Sequence, residues 1–89
     1  MNKLTIERIS PAQFAQMGIR KWPVWEKEIA DFPWHYDETE SCYIIEGEVD
    51  IVTSEGTFSF GPDVFVTFHK GLDCRWIIRK AVKKHYKFF

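Results

Sequence analysis

Hydrophobic side chains recur at spacing two through most of this chain, the period of a half-buried β-strand. Leu4 and Ile6 alternate with Thr5 and Glu7, which predicts an opening strand over residues 3–9. Phe32, Trp34 and Tyr36 alternate with Pro33 and His35, so the three rings share one face of an extended segment. After Asp37-Glu38-Thr39 the run 40–45 is strand-like again, with Glu40, Cys42 and Ile44 on one face and Gly47 closing it. Val49, Ile51 and Thr53 alternate against Asp50 and Val52, and the turn Ser54-Glu55-Gly56 folds this strand back into a hairpin with 57–60. Gly61-Pro62-Asp63 is a further turn. Strands follow at 64–68, 75–78 and 82–89, the first two separated by the turn His69-Lys70-Gly71. In the last of them Tyr86 and Phe88 alternate with Lys87 and Phe89.

Two segments depart from this rhythm. Ser10-Pro11-Ala12-Gln13 is a helix start: the serine caps, proline suits the first helical position, and glutamine reaches back. Gly18 caps this helix after about two turns. Residues 19–29 predict one or two short strands, with Trp22 and Val24 on one face, Trp25, Lys27 and Ile29 on the other, and Pro23 limiting central pairing. Eight to ten short strands and one N-terminal helix predict an all-β sandwich or barrel, and the count favours a jelly roll over a five-stranded barrel. With 89 residues the chain is read as a single domain spanning 1–89.

Composition adds an aromatic excess. Fifteen rings in 89 residues leave ring surface for a ligand or another subunit once a small core is filled. The net charge of −1 gives no nucleic-acid footprint over the whole molecule. The charges are nonetheless segregated. Residues 26–50 hold nine acids and one base, Lys27, whereas residues 69–89 hold seven bases and one acid, Asp73. Strands of opposite sign lying side by side are the simplest arrangement. Cys42 and Cys74 make no disulfide framework, the first ten residues lack the apolar run of a signal peptide, and no apolar run reaches membrane-spanning length. A reduced, cytoplasmic protein with neither nucleic-acid nor membrane partners is expected.

Two motifs carry a family resemblance. Glu40, followed after six residues by Gly47, resembles the end of the first cupin motif. Phe68-His69-Lys70-Gly71 resembles the second, in which a Pro-x-Gly turn closes a strand. Together with Trp34, Tyr36, Asp37-Glu38, Glu46-Gly47-Glu48-Val49 and Arg75-Trp76, they make residues 22–89 similar to short single-domain cupins grouped with ureidoglycine aminohydrolase and an ethanolamine-utilisation protein. The resemblance implies a cupin-type double-stranded β-helix, a jelly-roll barrel. Metal sites in that family take two histidines at spacing two, then the glutamate, then a third histidine after the second motif's glycine. Counting three residues before Glu40, those positions here hold Trp34, Tyr36, Glu40 and Cys74, with His35 turned outward and His69 in place of the proline; counting four puts Pro33 and His35 there, and the alternation of Phe32, Trp34 and Tyr36 favours the first. Glutamate and cysteine are two ligands where a stable site wants three or four. A divalent metal is therefore disfavoured, and no cofactor is expected.

The resemblance implies small-molecule binding in the barrel. It extends to chemistry on a polar metabolite of the ureido, amine or sugar class, and the alternative is a non-enzymatic binding or accessory cupin that has lost its metal. Trp34, Tyr36, Glu40, Cys74 and Trp76 are expected to line one cavity. Glu40 and Tyr36 are the catalytic candidates, as acid or base and as hydrogen-bond donor. Trp34, Cys74 and Trp76 are the ligand-binding candidates. Two readings of Glu40 stay open: general acid or base, or a structural carboxylate accepting from Tyr36 or backbone amides. For Trp34 and Trp76 core packing is the simpler reading, with ligand stacking the alternative. A homodimer is expected, with Trp22, Trp25, Tyr43 and Ile45 on outward faces.

Overall fold

The computed structural model describes residues 3–89. Among these, seven strands and one α-helix run in the order β1 (Leu4–Glu7), α1 (Pro11–Gln16), β2 (Val24–Lys27), β3 (Ala30–His35), β4 (Glu40–Thr53), β5 (Gly56–Phe60), β6 (Phe65–Phe68) and β7 (Asp73–Phe88). A single 3-10 turn at Ile19–Lys21 precedes β2. The helix forms as its sequence dictates. Gln13 N–H donates to Ser10 Oγ at 3.1 Å, and Ser10 N–H donates to Gln13 Oε1 at 2.9 Å. Gly18, in the left-handed region at φ +67°, turns the chain away after Met17.

The architecture rests on two long antiparallel strands, β4 with 14 residues and β7 with 16. They pair from Glu40↔Phe88 to Val52↔Arg75, with register shifts between Ile44 and Val49. The expected count of eight to ten strands is therefore corrected to seven among the described residues. Gly47 does not close a strand; it sits at φ +108° inside one, as the pivot of a bulge. A Cβ there would lie 2.6 Å from the carbonyl oxygen of Ala81 and 2.7 Å from Val82 Cα. The two backbones touch at this point, and for the same reason the separately predicted strands 75–78 and 82–89 fuse into β7.

The bulge divides each long strand between two halves of one seven-stranded sheet. On one side of the bend the strand order is β1-β6-β4-β7-β2. On the other, β5 flanks β4 and β3 flanks β7. The two halves close over a core that includes Cys42, Ile44, Val49, Ile51, Val66, Phe68, Ile78 and Val82, each almost fully buried. This is the jelly-roll arrangement expected from the alternation.

The segregated charges meet across the β4–β7 pairing. Arg79 bonds Glu48 and Asp50, and Lys80 Nζ lies 2.7 Å from Glu48. Exposed pairs of this kind contribute little each, about 0–1 kcal/mol. Among the described residues no helix is long and apolar enough to cross a membrane.

Gly47→Ala should lower stability by more than about 2 kcal/mol, through left-handed strain plus the clash with Ala81. Gly56 has φ +131° but nothing within 4 Å of a would-be Cβ, so Gly56→Ala carries the strain alone. Urea denaturation of both variants checks this; equal losses would remove the backbone contact as the constraint.

Candidate functional site

Aromatic side chains from three strands converge on one place. Trp25 comes from β2, Phe32 and Trp34 from β3, Tyr36 from just beyond β3, and Trp76, Tyr86 and Phe88 from β7. They enclose a cavity of about 270 Å³ with Glu40 and Lys84 in its lining. Phe32 and Trp76 stack at 6.2 Å between centroids with planes 5° apart, and Tyr36 stacks on Phe68 at 4.8 Å. Trp34, 52% exposed, and Phe88, 47% exposed, stand at the mouth. Trp25 turns inward onto Trp76 instead of outward as expected, because β2 pairs with the end of β7 that faces the cavity.

Glu40 opens β4 between Phe68 of β6 and Phe88 of β7. Its partner is neither Tyr36 nor a backbone amide. Lys84 Nζ donates to Glu40 Oε2 at 2.8 Å, and both side chains are 6% exposed. The ammonium also lies 4.7 Å from the Trp76 ring centroid, 4.9 Å from that of Trp25 and 5.9 Å from that of Phe68. Each such contact is worth about 0.5–2 kcal/mol, more as water is excluded. Lys84 is the functional candidate that sequence reasoning missed. Its signal was spacing two: Val82, Lys84, Tyr86 and Phe88 form one face of the closing strand, a lysine in an otherwise hydrophobic row.

Trp76 connects the two polar elements of the cavity. Its indole Nε1–H donates to the Tyr36 hydroxyl at 3.1 Å while its ring faces Lys84. Burial pushes the Tyr36 phenol far above its ordinary range, and the Glu40 carboxylate adds to the rise. The phenol is neutral at physiological pH. Having accepted from Trp76, it still has its own proton to donate.

The structure brings four of the five sequence-named residues together: Trp34, Tyr36, Glu40 and Trp76. It does not bring Cys74. That side chain is buried in the core and borders a separate depression with Lys3, Thr53 and Arg75. Cys74 pairs in register with Trp34 across β3 and β7 and its thiol feels the Glu40 carboxylate, but it is not among the residues that line the cavity. Burial raises its thiol to about 11 and that of Cys42 to about 12, so both remain protonated. His35 is exposed as expected, its Nδ1–H donating to Asp73 Oδ1 over 2.6 Å.

Comparison with known proteins places these features. The family description "EutQ-like cupin domain" matches residues 14–86, and the chain belongs to that family. A DUF861 family protein from Thermotoga maritima is 42% identical, with TM-score 0.93 over 97% of this chain and 99% of that one. The Clostridium difficile EutQ protein is 20% identical, with TM-score 0.68 over 74% of this chain and 52% of its own. A putative ethanolamine utilization protein Q from Salmonella typhimurium is 15% identical, with TM-score 0.68 over 97% and 68%. The last two likenesses are of fold. No functionally curated protein matches the sequence.

The cupin metal positions do not fit a metal here. Trp34 and Tyr36 offer an indole and a neutral phenol, Cys74 lies outside the cavity as a thiol, and Glu40 is held by an ammonium. Among the described residues no three His, Cys, Asp or Glu side chains converge.

Lys84→Met strands the Glu40 carboxylate in an apolar enclosure and should cost about 3–5 kcal/mol. Adding Glu40→Leu should recover most of that loss, since an apolar pair can replace a buried ion pair at little net cost. Chemical denaturation of the two single variants and the double variant checks this; simple additivity would mean that the two groups do not act as a pair.

Proposed function

We propose that this EutQ-like cupin binds a small, flat, polar organic molecule in the aromatic cavity. The observation that carries the reading is the combination of an open, ring-walled cavity with three polar groups at its wall: the Glu40 carboxylate, the Lys84 ammonium and the Tyr36 hydroxyl. Ligand sites are concave and mostly apolar, with a few placed polar groups. At roughly 30 Å³ per water, the cavity of about 270 Å³ suits a ligand of about ten heavy atoms.

The roles follow from chemistry. Trp76 and Phe32, already parallel, form one stacking wall, and Trp34 closes over the mouth. Glu40 uses one oxygen for Lys84; the other accepts from a ligand N–H or O–H. Tyr36 donates to a ligand carbonyl or hydroxyl. A ureido, amide or hydroxyl-bearing compound presents this donor–acceptor combination. In catalysis, Glu40 is the acid or base and Tyr36 steadies the developing negative oxygen. One observation favours a second, non-catalytic binding role: Glu40 is already neutralised by Lys84.

Phenylurea, benzamide and small sugars, screened by ligand-observed NMR and tryptophan fluorescence, test the reading. Binding should perturb Trp25 and Trp76, and Trp34→Ala should weaken it about two- to tenfold. Because Trp34 is half exposed, that variant should melt close to the parent temperature. If no compound of these classes perturbs the cavity indoles, the proposal fails.

A further inference from the structure

We infer that Lys84 is a covalent attachment point for small aldehydes and ketones, forming an imine through its Nζ inside the aromatic cavity. The inference rests on the cavity being a ligand site and goes beyond it by naming a reactive atom and a ligand class. Lys84 is the one buried lysine among the described residues. It lies in the lining of an open cavity and not sealed in the core, so a molecule in that cavity reaches its amine. Its only hydrogen-bond partner among the described residues is Glu40, a group able to take a proton and return it. The Tyr36 hydroxyl, free to donate, lies against the same Trp76 indole that faces Nζ.

The step balances with these groups alone. Lys84 Nζ passes one proton to Glu40 Oε2, which turns two desolvated charges into a neutral pair. The nitrogen lone pair attacks the carbonyl carbon, forming the C–N bond, and the carbonyl π pair moves to oxygen. Tyr36 donates a hydrogen bond to that oxygen while keeping its own proton, and the oxygen takes its proton from the attacking nitrogen. The Glu40 carboxylic acid then protonates the resulting hydroxyl, which leaves as water as the C=N bond forms. Lysine ammonium plus carbonyl gives the protonated imine plus water, with Glu40 again a carboxylate and nothing oxidised or reduced. The apolar enclosure favours this dehydration by keeping bulk water away.

The test uses the intact protein with benzaldehyde, acetaldehyde or glycolaldehyde and sodium cyanoborohydride, followed by peptide mass mapping. Lys84 should be alkylated at least about tenfold faster than the exposed lysines, a barrier difference of about 1.4 kcal/mol. Lys84→Arg should abolish the fast phase and leave the slow surface reaction. Glu40→Gln should slow the fast phase and leave the surface lysines unchanged. Tryptophan fluorescence in the same samples, without reductant, separates the two readings. A fluorescence change with Lys84 no faster than the surface lysines overturns the covalent inference and leaves the binding reading standing. With neither response to any of the three carbonyl probes, the covalent inference falls, and the binding reading is decided by its own screen. Preferential labelling of a different lysine also overturns the inference.

Discussion

The contact between the backbones of Gly47 and Ala81 is the constraint from which the rest of the architecture follows. Two strands of 14 and 16 residues would form a long flat ribbon if they paired in uninterrupted register. Such a ribbon exposes both faces and buries neither. The bulge bends both strands at one level, so the same two strands serve both halves of the seven-stranded sheet. That bend decides which residues meet. Trp76 lies before it on β7 and Lys84 after it, yet the indole and the ammonium are 4.7 Å apart. Without the bend, eight residues of extended chain would separate them by about 26 Å at ~3.3 Å per residue.

Within that frame, the Glu40–Lys84 pair is a costly choice. Moving two charges out of water costs several kcal/mol per ion, and an apolar pair of similar volume is often as stable. A core that needed only packing would have no use for it. Three rings around the ammonium offset part of the cost through their negative faces. The rings also explain the position of the charge. Lys84 cannot retreat to solvent without leaving Trp25 and Trp76, and Glu40 cannot turn away without stranding it. The polar groups of the cavity are therefore held rigidly, which lowers the ordering cost of any ligand that uses them.

Much of this fold was legible in local alternation, and the reasons for the misses are specific. The convergence of Phe32, Trp34 and Tyr36 was readable because a period of two commits a whole face at once. The capping box was readable because its partners are three residues apart. Gly47 was misread because a glycine between two strand-like runs marks either a turn or a bulge, and the choice depends on whether another backbone approaches. Ala81, 34 positions away, supplies that approach. Cys74 was placed in the cavity by counting from Gly71, but counting fixes a strand and a register and not which side chains reach the cavity lining. Lys84 was absorbed into a basic segment when its position in the hydrophobic row Val82, Lys84, Tyr86, Phe88 set it apart from its charged neighbours.

The departure from the cupin metal pattern and the presence of Lys84 are one fact seen from two sides. A glutamate at the start of a central strand, aimed into an apolar barrel, needs a positive partner or a proton. With indole and phenol at the positions of the imidazoles, the ligands that would gather a cation from solvent are missing. Here the cation is supplied by the chain itself, from a long-stemmed residue on the inward face of the neighbouring strand. Lys84 is that residue: it pairs in register with Ile44 on β4, shares a face with Val82 and Tyr86, and spans back to Glu40. The consequence is chemical. A bound metal would polarise a ligand as a Lewis acid, whereas a lysine offers a single charge, hydrogen-bond donors and, once deprotonated, a nucleophilic nitrogen. The chemistry available to this barrel is that of an amine and a carboxylate in an aromatic enclosure.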